Sequence, residues 1–278
     1  MSGPVLNAGI LDGQVAIVSG GGSGIGRATV LELVRLGATV VTCGRRLEPI
    51  EETAAMAEPG KVDPVVCDIR EEDQVEALVD GALERHGRID ILVNNAGGQF
   101  LCPAEDITPK GFRTVVRLNL EGTWLMTHAV ATKAFIPSGR GGRVVSVTLT
   151  PRNGIYGMAH SSAARAGVES LMKVLAVEWA RFKINLMCVA PGVVDTDTLR
   201  TKYPPEFRDY LKDGLLAGEL VAAENVAQTI AFVVSPAGRS ITASVINVDN
   251  GHDVCQHPFP PKELATDGGS LVQEQRKS

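Results

Sequence analysis

Three glycines, Gly20, Gly24 and Gly26, stand in the run Gln14-Val-Ala-Ile-Val-Ser-Gly-Gly-Gly-Ser-Gly-Ile-Gly-Arg27, and their spacing suits the binding of a pyrophosphate. Glycine removes the side chain where a backbone must approach a ligand, and the first N–H groups of a helix starting there point into the same space. Gly22, Ser23 and Ile25 complete the turn. The flanks supply the context such a turn needs. Val15 to Val18 read as a buried strand, and Ile25, Ala28, Leu31 and Val34 recur at helical spacing until Gly37. A flexible turn of no function is the bland alternative; strand, turn and helix in this order favour a dinucleotide.

A carboxylate at the end of the second strand would grip the ribose hydroxyls of NAD, but the chain there reads Cys43-Gly44-Arg45-Arg46. Two guanidinium groups fit a 2′-phosphate and point to NADP(H) as cofactor. The alternative is that Arg45 and Arg46 only solvate the start of a helix.

The elements that must position these groups alternate. After the first helix, strands are expected at 39–43, 64–67, 89–93, 143–147, 184–189 and 244–248, separated by helices at 47–57, 75–87, 108–134, 160–181 and 224–234. Thr108-Pro109 opens one of them, with a hydroxyl to cap it and a proline in its first turn. This pattern predicts an α/β fold, a single-domain Rossmann-like doubly wound parallel sheet of about seven strands with helices on both faces, its ligands beyond the carboxyl ends of the strands. The domain is expected over residues 11–256, with an N-terminal extension at 1–10 and a polar, proline-containing tail at 257–278 that packs, if anywhere, on a neighbouring subunit. Residues 193–222 are too many for an ordinary connection and are either a substrate lid or a loose segment, of which the lid is favoured.

Composition narrows the partners. A net charge of −5 argues against nucleic acid or an anionic membrane as the main partner, and no apolar run reaches the roughly 18 residues of a membrane span. Five scattered cysteines, Cys43, Cys67, Cys102, Cys188 and Cys255, have no metal-ligand spacing and read as structural thiols in a cytoplasmic protein.

Further residues follow in order: Asp68-Ile69 after the third strand, Asn94-Asn95-Ala96-Gly97 after the fourth, Asn119 in the next helix, and Pro191-Gly192 with Val194 after the sixth. With the glycine spacing, they resemble the short-chain dehydrogenase/reductase family from about Leu11 to Gly251. The resemblance implies that Asp68 and Ile69 hold the adenine, that Asn95, Ala96 and Gly97 line the cofactor channel, that Pro191, Gly192 and Val194 lie along it, and that Asn119 supports a proton relay. It also implies pairing of long helices into dimers or tetramers.

That family's usual serine, tyrosine and lysine are altered here. Aligned on Ala166-Gly167-Val168, Ser161 stands in the tyrosine position of Y-x-x-x-K and Arg165 in that of the lysine. A phenol near pKa 10 can be tuned into an acid or base, whereas a serine hydroxyl does not readily ionise and arginine stays charged. Alkene reduction asks for less, because hydride addition to an enoyl thioester leaves an enolate that needs oxyanion stabilisation before protonation. The stretches Asn95-Ala-Gly-Gly-Gln-Phe-Leu101 and His160-Ser-Ser-Ala-Ala-Arg-Ala-Gly-Val168 resemble the trans-2-enoyl-CoA reductase and 2,4-dienoyl-CoA reductase branch. In the dienoyl reductases, the reactive tyrosine comes from earlier in the chain, near Thr150 in this sequence; Tyr156, the nearby phenol, either covers the substrate or delivers a proton. Glu169 and Lys173 read as a surface ion pair. Arg200, Lys202, Arg208 and Lys212 either meet the phosphates of an acyl-CoA thioester or form a solvated face. The C-terminal Arg276-Lys277-Ser278 departs from the peroxisomal S-K-L signal.

The expected function is NADPH-dependent reduction of an enoyl-CoA or dienoyl-CoA, with Asn119, Ser161, Arg165 and Tyr156 as the catalytic candidates and no metal; Ser161 is expected to contact the substrate carbonyl, and Arg165 to hold the nicotinamide ribose while lending charge to the enolate. The rivals are an alcohol or ketone dehydrogenase using Tyr156 or water, and a dinucleotide sensor without catalysis.

Overall fold

A computed structural model describes residues 6–254 apart from 151, 153, 203, 204 and 214. The proposed tail at 257–278, Cys255 and the first five residues of the N-terminal extension lie outside the described residues.

Seven strands form one parallel sheet in the order β3-β2-β1-β4-β5-β6-β7. They are β1 (Val15–Ser19), β2 (Thr39–Gly44), β3 (Val62–Val66), β4 (Ile91–Asn94), β5 (Gly142–Val147), β6 (Ile184–Pro191) and β7 (Val245–Val248). The direction of winding reverses between β1 and β4, which opens a crevice at their carboxyl ends. β1 is buried at all five positions, as two-sided burial requires, and its side chains alternate between two cores. Ile17 packs into the layer of α3 (Glu72–His86), α5 (Gly122–Val130) and α7 (Ala159–Trp179). Ala16 and Val18 pack into the layer of α1 (Gly24–Arg35) and α10 (Ala223–Val234). α2 (Leu47–Met56) links β2 to β3. No helix among the described residues is long and apolar enough to cross a membrane.

Two elements depart from the periodicity. The third strand starts at Val62 rather than at Pro64 and ends before Cys67; at this sheet edge, Pro64 is tolerated because one side of the strand needs no ladder donor. The helix expected at 108–134 runs on to Ser138 as α4 (Pro109–Val116), α5 and α6 (Ile136–Ser138), joined by π-turns at Arg117–Glu121 and Ala131–Phe135. Its start is as expected, with Thr108 Oγ1 accepting from Gly111 N at 3.0 Å. The stretch 193–222 holds α8 (Asp197–Lys202) and α9 (Pro205–Asp213), and its two ends are pinned together by a bridge between Val194 and Val221.

Candidate active site

A cleft of about 330 Å³ opens at the switch point, lined by Gly20, Ser23 to Gly26, Arg45, Asp68, Ile69, Asn95 to Gly97 and Leu118, among others. Gly22, Arg45 and Arg46 continue it toward α2. Glycine is required here for two reasons. Gly20 and Gly24 adopt φ of +73° and +51°, and a β-carbon on Gly26 would collide with the Gly20 carbonyl. Ser23, the residue preceding α1, gives the helix no side-chain cap, so the first N–H groups face the cleft without a protein acceptor. The turn is held from behind. Arg27 donates to Gly22 O at 2.6 Å and to Glu52 at 3.0 Å, while Thr53 Oγ1 donates to Gly21 O at 2.9 Å.

The cleft walls carry opposite charges. Arg45 and Arg46 are exposed at the rim, and neither has a carboxylate partner among the described residues. Asp68 is held by the Arg70 guanidinium, which keeps its carboxyl below the usual range, with Arg45 adding a weaker pull. On β4, Asn94 is buried and donates to Thr127 at 2.8 Å and Ser146 at 3.2 Å, whereas Asn95 donates to Ser19 O and Gly20 O. Asn94 thus ties the sheet to α5, and Asn95 ties β4 to the glycine turn.

The π-turn sets Asn119 beneath the loop that follows β4. Its Nδ2 donates to Gly98 O at 2.7 Å and Val115 O at 2.8 Å, and its Oδ1 accepts from Gly98 N at 3.3 Å. Both amide donors are therefore taken, one by that loop and one by the preceding helical turn, which makes Asn119 a positioning residue for the loop. The loop in turn touches Arg165: a β-carbon on Gly97 would collide with Arg165 Nη2 and lie 2.7 Å from Asn119 Oδ1.

Ser161, Arg165 and Glu169 are spaced four residues apart on α7 and share one face. Arg165 is 8% exposed, donates from Nη1 to Val147 O at 2.6 Å, and has no carboxylate partner among the described residues. Burial lowers its pKa from the ordinary arginine value to about 10, which leaves it charged at neutral pH. Ser161 is fully buried and donates to Gln99 Oε1 at 2.7 Å. His160 Nδ1 accepts from Ser161 N at 2.8 Å, and its ring meets Phe100 edge-on at 4.3 Å.

Several expectations need correction. Tyr156 is 83% exposed, its phenol in water, on a connection that Gly157 O anchors to Cys102 N; it does not join Ser161 and Arg165. Thr150 is buried and bonded through its backbone to Pro191 O. Glu169 is not half of a surface pair with Lys173, because it turns inward to accept from Thr148 Oγ1 at 3.0 Å, with Arg152 at 3.9 Å. The basic residues of the presumed lid do not form a free cationic face: Arg200 and Arg208 both bind Asp195, and Lys212 binds Asp209. The side chain of Lys202 lies outside the described residues. Pro191, Gly192 and Val194 are not among the residues that line this cleft, whereas Thr196 is.

Gln99, Thr148 and Thr196 are therefore site residues that sequence reasoning passed over. Gln99 follows directly on the Asn95 to Gly98 run, which was a usable signal. The contact of Thr148 with Glu169 spans 21 residues and leaves no mark in local periodicity.

A model of the short chain dehydrogenase family matches residues 14–206. Over 250 residues, the chain is 34% identical to the peroxisomal 2,4-dienoyl-CoA reductase, (3E)-enoyl-CoA-producing, of Rattus norvegicus, covering 87% of this chain and 84% of that protein. Over 246 residues, it is 33% identical to a 3-oxoacyl-acyl-carrier-protein reductase of Thermotoga maritima, covering 87% and 98%. The solved 3-ketoacyl-(acyl-carrier-protein) reductase from Brucella melitensis complexed with NADH matches with a TM-score of 0.82 at 30% identity, covering 88% of this chain and 100% of that one. The cleft suits a nicotinamide dinucleotide on its own chemistry, since its glycines leave room and its free helix N–H groups await an anion. The chain is thus an oxidoreductase that belongs to the short-chain dehydrogenase family.

Proposed function

We propose that this protein uses NADPH to reduce the carbon–carbon double bond of a trans-2-enoyl-CoA or dienoyl-CoA thioester. The observation that carries the reading is Arg165, a buried cation without a carboxylate, one helical turn from Ser161 and its partner Gln99, with the nearby phenol turned to solvent. Such a set stabilises an oxyanion and offers no tunable acid. The dinucleotide, when bound, supplies hydride. Gln99 Oε1 is occupied by the Ser161 hydroxyl, so both Nε2 protons are left to meet the thioester oxygen as it gains charge. Arg165 lends positive potential to the same oxygen, and burial keeps water from screening it. The proton for the α-carbon then comes from water, and Asn119 acts by fixing the loop that carries Gly97 and Gln99.

Loss of NADPH absorbance with trans-2-enoyl-CoA esters but not with the matching 3-ketoacyl-CoA esters is the expected result. Oxidation with the ketoacyl series alone would overturn the reading and favour the ketone reductase alternative, which the Thermotoga maritima relative supports. NADPH binding without turnover on either series would leave the sensor alternative. Ser161→Ala is expected to lower single-turnover reduction roughly tenfold, the scale of one hydrogen bond that orients Gln99. An unchanged rate would remove Ser161 from the mechanism.

The preference for NADPH rests on Arg45 and Arg46, exposed beside Gly22 and Ser23 and without a carboxylate partner among the described residues. The double variant Arg45→Ala, Arg46→Ala is expected to raise the KM for NADPH by about 100-fold while that for NADH changes little, because charge-assisted bonds to a 2′-phosphate are lost. Equal effects on the two cofactors would mean that these arginines only solvate the rim. A homo-oligomer is also part of the proposal. Trp124 and Val174 are exposed on α5 and α7 and line an apolar groove, and a self-complementary helix pair would cover them. A monomer in sedimentation equilibrium would count against it.

A further inference from the structure

At the opposite end of the sheet, a pocket of about 290 Å³ lies beneath the amino ends of β5 and β6. Its wall carries Arg88, Arg140, Arg143, Lys183 and Arg239 against a single acid, Asp90, in a chain whose net charge is −5. Two of the five cations are occupied. Arg88 is paired with Asp90 at 2.7 Å, and Arg143 donates to Ser235 O and, at 3.5 Å, to Val233 O, at the end of α10. Arg140, Lys183 and Arg239 have no carboxylate partner among the described residues, although like charges gathered in one recess repel.

The backbone adds a second observation. Lys183 has φ of +60°, a left-handed conformation that favours glycine, and it is one of three non-glycine residues with positive φ among those described. A glycine at this turn would be unstrained, yet the chain places a cation there. Gly141 closes in on the Lys183 carbonyl so tightly that a β-carbon at 141 would collide with it, which draws the segment bearing Arg140 against Lys183. Lys183 caps the short 3-10 turn Ala180–Phe182, and its side chain stands exposed at the rim of the pocket with those of Arg140 and Arg239; three exposed cations without carboxylate partners among the described residues, one of them set by a left-handed turn, suit a ligand better than they serve stability.

We propose that this pocket binds a small phosphate-bearing anion with at least two negative charges, separate from the dinucleotide cleft. Arg140, Lys183 and Arg239 would supply charge-assisted hydrogen bonds to its oxygens, while Arg143 and Arg88, held in place by their own partners, form the rigid floor. A recess drawn from four connections suits a compact ligand better than it suits the flat face of a protein partner. Because the strands that begin here end at the cleft, an anion on this side would bear on the same sheet from below.

The test is calorimetric titration of inorganic pyrophosphate into the full chain, with NADPH first added to saturation so that the cleft cannot answer for the pocket. The NADPH step is itself measured, so failure of the cofactor reading is seen separately. Saturable binding is expected, weakening as salt is added and falling roughly tenfold for each cation lost in Lys183→Gly and Arg140→Ala. Lys183→Gly keeps the test sharp because glycine fits the backbone there, so its thermal unfolding midpoint is expected to hold or rise while binding falls. Running ADP as a second arm distinguishes a nucleotide from a free polyphosphate: tighter binding of ADP than of pyrophosphate assigns the former. Absence of binding for both, or affinities unaltered in Lys183→Gly and Arg140→Ala, would overturn the proposal.

Discussion

Arg165→Met is expected to lower single-turnover reduction of an enoyl thioester about 100-fold and, at the same time, to make the protein more stable. The loss follows from removing a fixed positive group from a developing oxyanion, an effect on the order of 3 kcal/mol when such a donor is deleted. The gain follows from the burial that makes the group useful. A pKa lowered from the ordinary arginine value to about 10 corresponds to about 3 kcal/mol of unfavourable charge burial, and losing the bond to Val147 O gives back about 1 kcal/mol of that. The net, about 2 kcal/mol, should raise the unfolding midpoint by several degrees in a chain of this size. The pH dependence has a definite sign. Between the folded value near 10 and the higher unfolded value, the unfolded state holds more protons, so wild-type stability recovers as pH rises through 10 and the advantage of the variant shrinks. At neutral pH, both states are charged and the full difference is present. Thermal unfolding at neutral and alkaline pH, read beside stopped-flow reduction, checks both halves; full activity with unchanged NADPH affinity would remove Arg165 from the mechanism.

Gly26→Ala should abolish dinucleotide binding, with an affinity loss of at least 100-fold. The added β-carbon would collide with the Gly20 carbonyl and sit 2.5 Å from Asn95 Nδ2, the atom that staples β4 to the turn through Ser19 O and Gly20 O. Both neighbours are backbone or anchored to backbone, so neither can yield without displacing the turn, and overpacking of this kind costs roughly 1–3 kcal/mol in stability as well. Gly60→Ala is the control. Gly60 also has a positive φ, +79°, but has open space around it, so alanine there should cost about 1 kcal/mol of backbone strain and leave binding intact. NADPH fluorescence titration separates the two, and near wild-type affinity in Gly26→Ala would remove the turn from the binding site.

Much of the cofactor cleft was legible in the sequence because its signals are local. A glycine that needs positive φ, a strand buried on both faces and a proline at the start of a helix each act within a few residues, and Gly20, Ser23, Gly26, Arg45, Asp68 and Asn95 all line the cleft or its extension. The same local rules overreached at Glu169 and Lys173, where helical spacing suggests a surface pair. The inward turn of Glu169 depends on Thr148, which arrives from the end of another strand. Likewise, the basic stretch of 200–212 looks like a phosphate-binding face until Asp195 and Asp209 are seen to neutralise it.

The sequence by itself determined the alternation of strands and helices, the position of the dinucleotide turn, and the replacement of the usual tyrosine and lysine by Ser161 and Arg165, because each is fixed by residue type and near-neighbour spacing. Only the tertiary structure decided that Tyr156 stands in water, that Gln99 accepts a hydrogen bond from the Ser161 hydroxyl, that Asn119 is bonded to the backbone of Gly98, and that Arg165 is buried without a carboxylate partner among the described residues. Those outcomes depend on burial and on contacts between segments far apart in the chain. Burial also decides whether a charged side chain is a solvated surface group or a source of electrostatic potential.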